Sequence, residues 1–219
     1  MDIVVGPDPA SLAAAWIARR LRDAVRRRGS ASIALSGGST APPMIEAVLE
    51  HNVPWRSIGV WQVDERIAAE GSEARNALQL EPLRMLGCRI RLMPVTANDP
   101  RAAARRYSAS LPDRFDVVHL GLGSDGHTAS WPPGQDHVYR STRLVELAGP
   151  FNGWQRMTVT RSVVNRARSR VVLAAGAEKR PVIERWLLGE ASLPISAVRR
   201  SATWVFLDPA AAPPTGLHR

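Results

Sequence analysis

Short runs of β-branched and other apolar residues alternate along the chain with longer stretches whose apolar positions recur every three or four residues. Ile3, Val4 and Val5 read as a strand. Asp8 then stands as an N-cap ahead of Pro9, and Leu12, Trp16, Ile17, Leu21, Ala24 and Val25 keep helical spacing until Gly29 stops the run. The same reading predicts strands over 32–35, 58–63, 90–93 and 117–120, and helices over 42–50, 72–86 and 100–110. Gly87 supplies the stop for the helix at 72–86, and Asp99-Pro100 opens the one that follows. Further on, strands are expected at 144–147 and 157–159 around a Gly/Pro-containing turn. A short helix at 162–168, a buried strand at 171–174, a helix at 178–188 and a strand at 204–207 complete the series. Such alternation implies an α/β fold, a mostly parallel sheet with helices on both faces. No repeat or linker-like stretch divides the chain, so residues 1–219 read as a single domain. Ligands of such sheets bind beyond the carboxyl ends of the strands, and three motifs sit there.

The first is Ser36-Gly37-Gly38-Ser39-Thr40, between a strand and a helix. Its glycines let the backbone approach a ligand, and a helix starting there offers unpaired N–H groups to an anion. An ordinary strand-to-helix turn with a hydroxyl cap explains the same residues. The motif lacks the lysine and glycine spacing of a P-loop. The second is Trp61-Gln62-Val63-Asp64-Glu65-Arg66, which reads either as a polar cleft whose Arg66 binds carboxylate or phosphate, or as a solvated surface turn. The third, residues 121–130, formally contains G-x-G-x-x-G after a strand. It fails as a dinucleotide fingerprint because Pro132-Pro133-Gly134 ends any helix at once. Its glycines instead thread a loop around Asp125 and His127, a pair suited to general-base work. His51, His119, His137 and His218 read as structural, His119 as core.

Charge alters the picture least where it first looks most telling. The net charge is +9 and the sequence pI is about 11.2, values that raise nucleic-acid binding. Yet the 28 arginines are scattered, apart from Arg26-Arg27-Arg28, and no aromatic platform accompanies them. They read as solvated surface, and no nucleic-acid partner is expected. The lone lysine is Lys179. One cysteine, Cys88, excludes an internal disulfide framework and fits a reducing compartment. With no signal-like start and no apolar run near ~20 residues, a cytoplasmic protein without membrane contact is expected. No H-x-H, H-E-x-x-H, cysteine pair or G-x-S-x-G occurs, so no zinc set or serine elbow is expected.

In chain order, residues 35–40, Asp64-Glu65-Arg66, residues 121–130, 156–160, 176–179 and 193–198 resemble the 6-phosphogluconolactonase family over nearly the whole chain. The run from Asp125 to Ser130 is the most specific part. The resemblance implies a Rossmann-like domain of the glucosamine-6-phosphate isomerase-like fold that needs no metal or cofactor. It implies a monomer or weak homodimer acting on a small phosphosugar lactone, hydrolysing 6-phospho-D-glucono-1,5-lactone in the oxidative pentose phosphate pathway. By the same resemblance His127 is the base that activates water, with Asp125 holding the imidazole or the substrate hydroxyls. Ser36, Gly37, Gly38, Ser39, Thr40 and Asp64 would bind substrate, with Lys179 on the phosphate. Arg66 and Arg156 would serve the oxyanion or the phosphate. The related deaminases carry a catalytic Glu after their Asp-Gly-His, where this chain has Thr128-Ala129-Ser130-Trp131. Isomerase/deaminase chemistry is the alternative, as is a non-catalytic sugar-phosphate sensor. Ala41 before Pro42, Trp131-Pro132, and Arg75 before Asn76 depart from the family pattern at the substrate's edge.

Overall fold

A computed structural model describes residues 1–214. His218 lies outside the described residues. The strands are β1 (Asp2–Val5), β2 (Ala31–Leu35), β3 (Ile58–Gln62), β4 (Asp64–Arg66), β5 (Arg89–Arg91), β6 (Val117–Gly121), β7 (Val145–Phe151), β8 (Trp154–Val159), β9 (Ser169–Ala174) and β10 (Thr203–Leu207). The α-helices are α1 (Pro9–Arg28), α2 (Ala41–Leu49), α3 (Glu81–Arg84), α4 (Pro100–Ser110), α5 (Asp136–Arg140), α6 (Arg161–Arg166) and α7 (Arg180–Leu187).

The expected α/β layering is what forms. Seven strands make one parallel sheet in the order β1-β10-β9-β6-β2-β3-β5. From β2 the chain winds one way through β3 and β5, and the other way through β6, β9 and β10. The loops leaving β2 and β6 therefore diverge and open a crevice at the sheet's carboxyl edge. Helix α1 starts where Asp8 accepts from the Ser11 amide at 3.0 Å and ends at Gly29, in the left-handed region at φ 75°. Its buried stripe of Ala13, Ala14, Ile17, Ala18, Leu21 and Ala24 packs with α2 over Ile33, Leu35, Val60 and Val171. Helices α4, α6 and α7 cover the other face over Val118, Leu120, Val172 and Val205.

Two departures from the sequence pattern shape the crevice. Residues 64–66, expected as a strand-end turn, form strand β4 of a separate antiparallel sheet, β4-β8-β7. A solvated surface turn is ruled out there, because Asp64 and Glu65 are buried. Strands β7 and β8 run longer than 144–147 and 157–159, since a two-residue Asn152-Gly153 turn with φ 50° and 78° matches the twist of the flanking strands. Residues 72–86 are not one helix. The Glu65 carboxylate accepts from the amides of Asn76 at 2.7 Å and Ala77 at 2.9 Å, so a helical start is capped in mid-segment. A 3-10 turn, Asn76–Leu80, follows, and then the short α3. Smaller shifts are at 90–93, where the strand is Arg89–Arg91, and at 178–188, which opens with a 3-10 turn over Ala177–Lys179.

His119 is core, as its apolar strand suggests. It is fully buried and neither ring nitrogen has a hydrogen-bond partner among the described residues. Burial pushes its pKa down from 6.5 to about 4. The folded protein therefore holds a neutral imidazole that the unfolded chain protonates below about pH 6.5. Stability is full above that value and declines as pH falls toward 4, by about 3 kcal/mol from this group. Urea unfolding of the parent and of His119→Leu between pH 7 and 4 measures the effect. The gap between the two should shift in the variant's favour as pH falls; a constant gap would refute the assignment.

Candidate active site

At the crevice, the loops after β2 and β6, the end of β9 and the small sheet enclose an open cavity of about 160 Å³. Ser36, Gly37, Gly38, Ser39 and Thr40 line it from one side, and His127 and Lys179 from the main sheet's other loops. Asp64, Arg66 and Arg156 line it from the small sheet. Of the eleven residues singled out in the sequence, only Asp125 is absent from the wall; it sits behind His127.

The 36–40 loop is built to present donors. Gly38 takes φ 111°, and its amide donates to Gln79 Oε1 at 3.2 Å. A side chain at Gly37 would overlap Asn76. Pro42 and Pro43 fill the first turn of α2 and the Ala41 amide donates to Gly38 O, so this helix offers fewer orphan N–H groups than a usual N-terminus. The amides of Gly37, Ser39 and Thr40 have no protein acceptor among the described residues, and the buried Ser36 hydroxyl has none either. Anion binding here therefore falls to loop amides and hydroxyls. Across the cleft the Lys179 side chain is mostly buried, with Glu178 as a distant partner at 3.9 Å.

Residues 121–127 fold tightly, with Gly123 N donating to His127 O at 2.8 Å and Gly126 N to Gly123 O at 3.0 Å. A Cβ at Gly123 would overlap the His127 ring, so glycine is required there. His127 Nδ1 lies 2.5 Å from Asp125 Oδ1, which also accepts from the His127 amide at 3.1 Å. Burial raises the Asp125 pKa, but those two bonds from His127 outweigh it and hold the carboxyl below its ordinary value. With Nδ1–H donating to a carboxylate, the Nε2 lone pair is left for the cleft. Phe151 meets the ring in a T-shaped contact, centroids 4.8 Å apart.

The small sheet supplies cations. Arg66 and Arg156 are register partners on β4 and β8. Arg66 Nη1 donates to Ala74 O at 2.5 Å and Asn76 Oδ1 at 3.1 Å. Arg156 donates through Nε to Phe151 O at 3.2 Å, and its guanidinium lies 5.2 Å from that ring's centroid. Buried Asp64 accepts from Ser130 Oγ at 2.6 Å and pairs with Arg156 at 3.9 Å. Burial pushes the Asp64 carboxyl up, against the pull of Ser130 and Arg156. Burial lowers the Arg156 pKa, and the charge of Arg66 adds to that. Arg156 pairs with Asp64 while Arg66 beside it is held by neutral acceptors, Ala74 O and Asn76 Oδ1, so the two neighbouring guanidiniums make a site that an anion relieves.

The sequence reading did not assign Asn76, Glu65, Ser130 or Phe151. Glu65 is fully buried and gathers the amides of Arg66, Asn76 and Ala77, the Gln62 side chain at 2.7 Å and Arg75 at 3.2 Å. It holds both Arg66 and Asn76 at the cavity wall. The only sequence signal for it was a carboxylate flanked by charges after an apolar strand.

The family model described as glucosamine-6-phosphate isomerases/6-phosphogluconolactonase matches residues 8–207. A 6-phosphogluconolactonase of Synechocystis sp. is 35% identical over 178 residues, 74% of this chain and 74% of the relative. One of Rhizobium meliloti is 33% identical over 219 residues, 89% of this chain and 92% of the relative. The crystal structure of a 6-phosphogluconolactonase from Shewanella baltica superposes with a TM-score of 0.85 at 26% identity, covering 94% of this chain and 96% of that one. The fold, the crevice and these matches together establish that the chain belongs to the glucosamine-6-phosphate isomerase/6-phosphogluconolactonase family.

Proposed function

We propose that the protein hydrolyses 6-phospho-D-glucono-1,5-lactone to 6-phosphogluconate, as the names of its relatives indicate, in the oxidative pentose phosphate pathway. The observation that carries this reading is the Asp125–His127 pair, whose free Nε2 shares one cavity with an unpartnered amide loop and three cations. The dianionic phosphate binds the amides and hydroxyls of residues 36–40, with Lys179 as a point charge. A water then attacks the lactone carbonyl while neutral His127 takes its proton. The tetrahedral oxyanion is met by an arginine of the Arg66–Arg156 pair. Collapse breaks the bond from the carbonyl carbon to the ring oxygen, and the imidazolium returns the proton to that oxygen. Asp125 orients the imidazole and balances its charge, a role favoured over substrate contact by its place behind the ring. Asp64 acts through Ser130 and Arg156.

The position of the deaminases' catalytic Glu is filled here by a loop whose Ser130 donates to Asp64, which favours hydrolysis over isomerisation. We read residues 1–219 as one domain, because a single family model spans residues 8–207, and as a monomer or weak homodimer. The lone cysteine supports a cytoplasmic setting. The test is a dehydrogenase-coupled assay with freshly made lactone, the spontaneous hydrolysis rate subtracted. Saturable turnover above that background is expected, and none would overturn the reading.

A further inference from the structure

We propose that the amino edge of the parallel sheet carries a second anion site, opposite the catalytic cleft, that takes a compact polyphosphate chain. Arginines that look scattered in sequence meet there. Arg28, Arg89, Arg91, Arg114 and Arg168 line a cavity of about 510 Å³ with a single acid, Asp116, among them. Five guanidiniums against one carboxylate leave a surplus of four positive charges on one concave surface, where their mutual repulsion falls when an anion enters.

The surface is organised rather than incidental. Asp116 is nearly buried, accepts from the Ser32 amide at 2.9 Å, and pairs with Arg28 and, at 3.3 Å, with Arg168. Arg114 donates Nε to Arg166 O at 2.7 Å. The Arg91 guanidinium lies 5.5 Å from the centroid of Trp61. The Trp61 ring itself crosses the bare backbone of Gly59, where any side chain would overlap it. These anchors hold Arg28, Arg91, Arg114 and Arg168 at the cavity wall and leave guanidinium N–H groups unengaged, which suits bidentate phosphate contacts.

A nucleic-acid strand fits less well. Strands held without sequence preference rely on exposed aromatic faces for stacking. Trp61, the aromatic of this cavity, is only 9% exposed, covered by Arg91 and by the edge of Phe115 at 5.4 Å. Charge without a stacking face selects a short, dense anion, either inorganic polyphosphate or the phosphate tail of a free nucleotide.

Isothermal titration at low salt tests this with sodium tripolyphosphate, ATP and a single-stranded oligonucleotide as probes. The proteins are the parent, Lys179→Ala, Arg89→Ala/Arg91→Ala and Arg114→Ala, with melting curves to confirm folding. Tripolyphosphate is expected to bind one per chain, to bind Lys179→Ala as it binds the parent, and to weaken about tenfold or more in each arginine variant. ATP binding as tightly as tripolyphosphate assigns the nucleotide tail, and weaker binding assigns the inorganic chain. No saturable tripolyphosphate binding would overturn the proposal, as would loss in Lys179→Ala with the arginine variants unaffected. Tighter binding of the oligonucleotide than of tripolyphosphate would overturn it in favour of a nucleic-acid surface.

Discussion

His127→Ala loses about 10²- to 10⁴-fold in kcat while its affinity for 6-phosphogluconate, read as competitive inhibition in the parent and as direct binding in the variant, stays close to the parent's. The separation follows from the geometry. The imidazole is held by Asp125 at 2.5 Å and by Phe151 in a T-shaped contact, on the loop after β6. The proposed phosphate donors lie elsewhere, on the loop after β2 and at Lys179 beyond β9, so removing the ring leaves them in place. His127→Gln keeps some bulk and polarity yet accepts no proton, and should fall as far. Near-parental turnover in either variant would remove His127 from the base role. Equal loss of binding and turnover would recast it as a substrate-holding group.

The second large effect is expected at a residue that does not line the cavity. Glu65→Ala strips a buried carboxylate from the amides of Arg66, Asn76 and Ala77 and leaves Arg75 without its ion partner. Breaking a buried pair from one side costs about 3–5 kcal/mol, which for a chain of this size lowers Tm by on the order of 10 °C. Turnover should fall as well, because Arg66 donates to Asn76 and to Ala74, both on the segment that Glu65 secures. Glu65→Gln retains an acceptor for the amides and should recover part of the Tm. Thermal melts paired with the lactone assay measure both effects. A Glu65→Ala protein with parental Tm and parental kcat would show that the segment at 72–80 is held by other contacts.

The parallel sheet was legible because its strands are buried on both faces and read as continuous apolar runs; β3 and β9 are buried throughout. The small sheet was not, since β4 has the sequence Asp64-Glu65-Arg66, which no apolar pattern marks as a strand. It is paid for by specific partners: Ser130 and Arg156 for Asp64, and a ring of amides for Glu65. The β7–β8 hairpin carried a clear signal in Asn152-Gly153, the dipeptide suited to two positive φ values. The Gly149-Pro150 pair beside it made the expected turn too wide, so that it took in strand residues on both sides of the tip. At the site, strand-end motifs supplied eight of the ten assigned residues that line the cavity, and the family resemblance supplied Arg156 and Lys179. Distance in sequence hid Asn76, which lines the cavity, and Phe151, which packs on His127; both reach the site only through the loop and hairpin that the small sheet organises.

The pairing of Arg66 with Arg156 also fixes where this chain can change length. Side chains alternate faces along β8, so a one-residue insertion or deletion between Trp154 and Arg156 would bring Gln155 or Met157 opposite Arg66 and turn Arg156 to the other face. The same change at the Asn152-Gly153 tip lies outside the β4–β8 ladder and leaves that pairing in step. Length variation compatible with activity should therefore collect at the hairpin tip and be purged from the three residues that follow it.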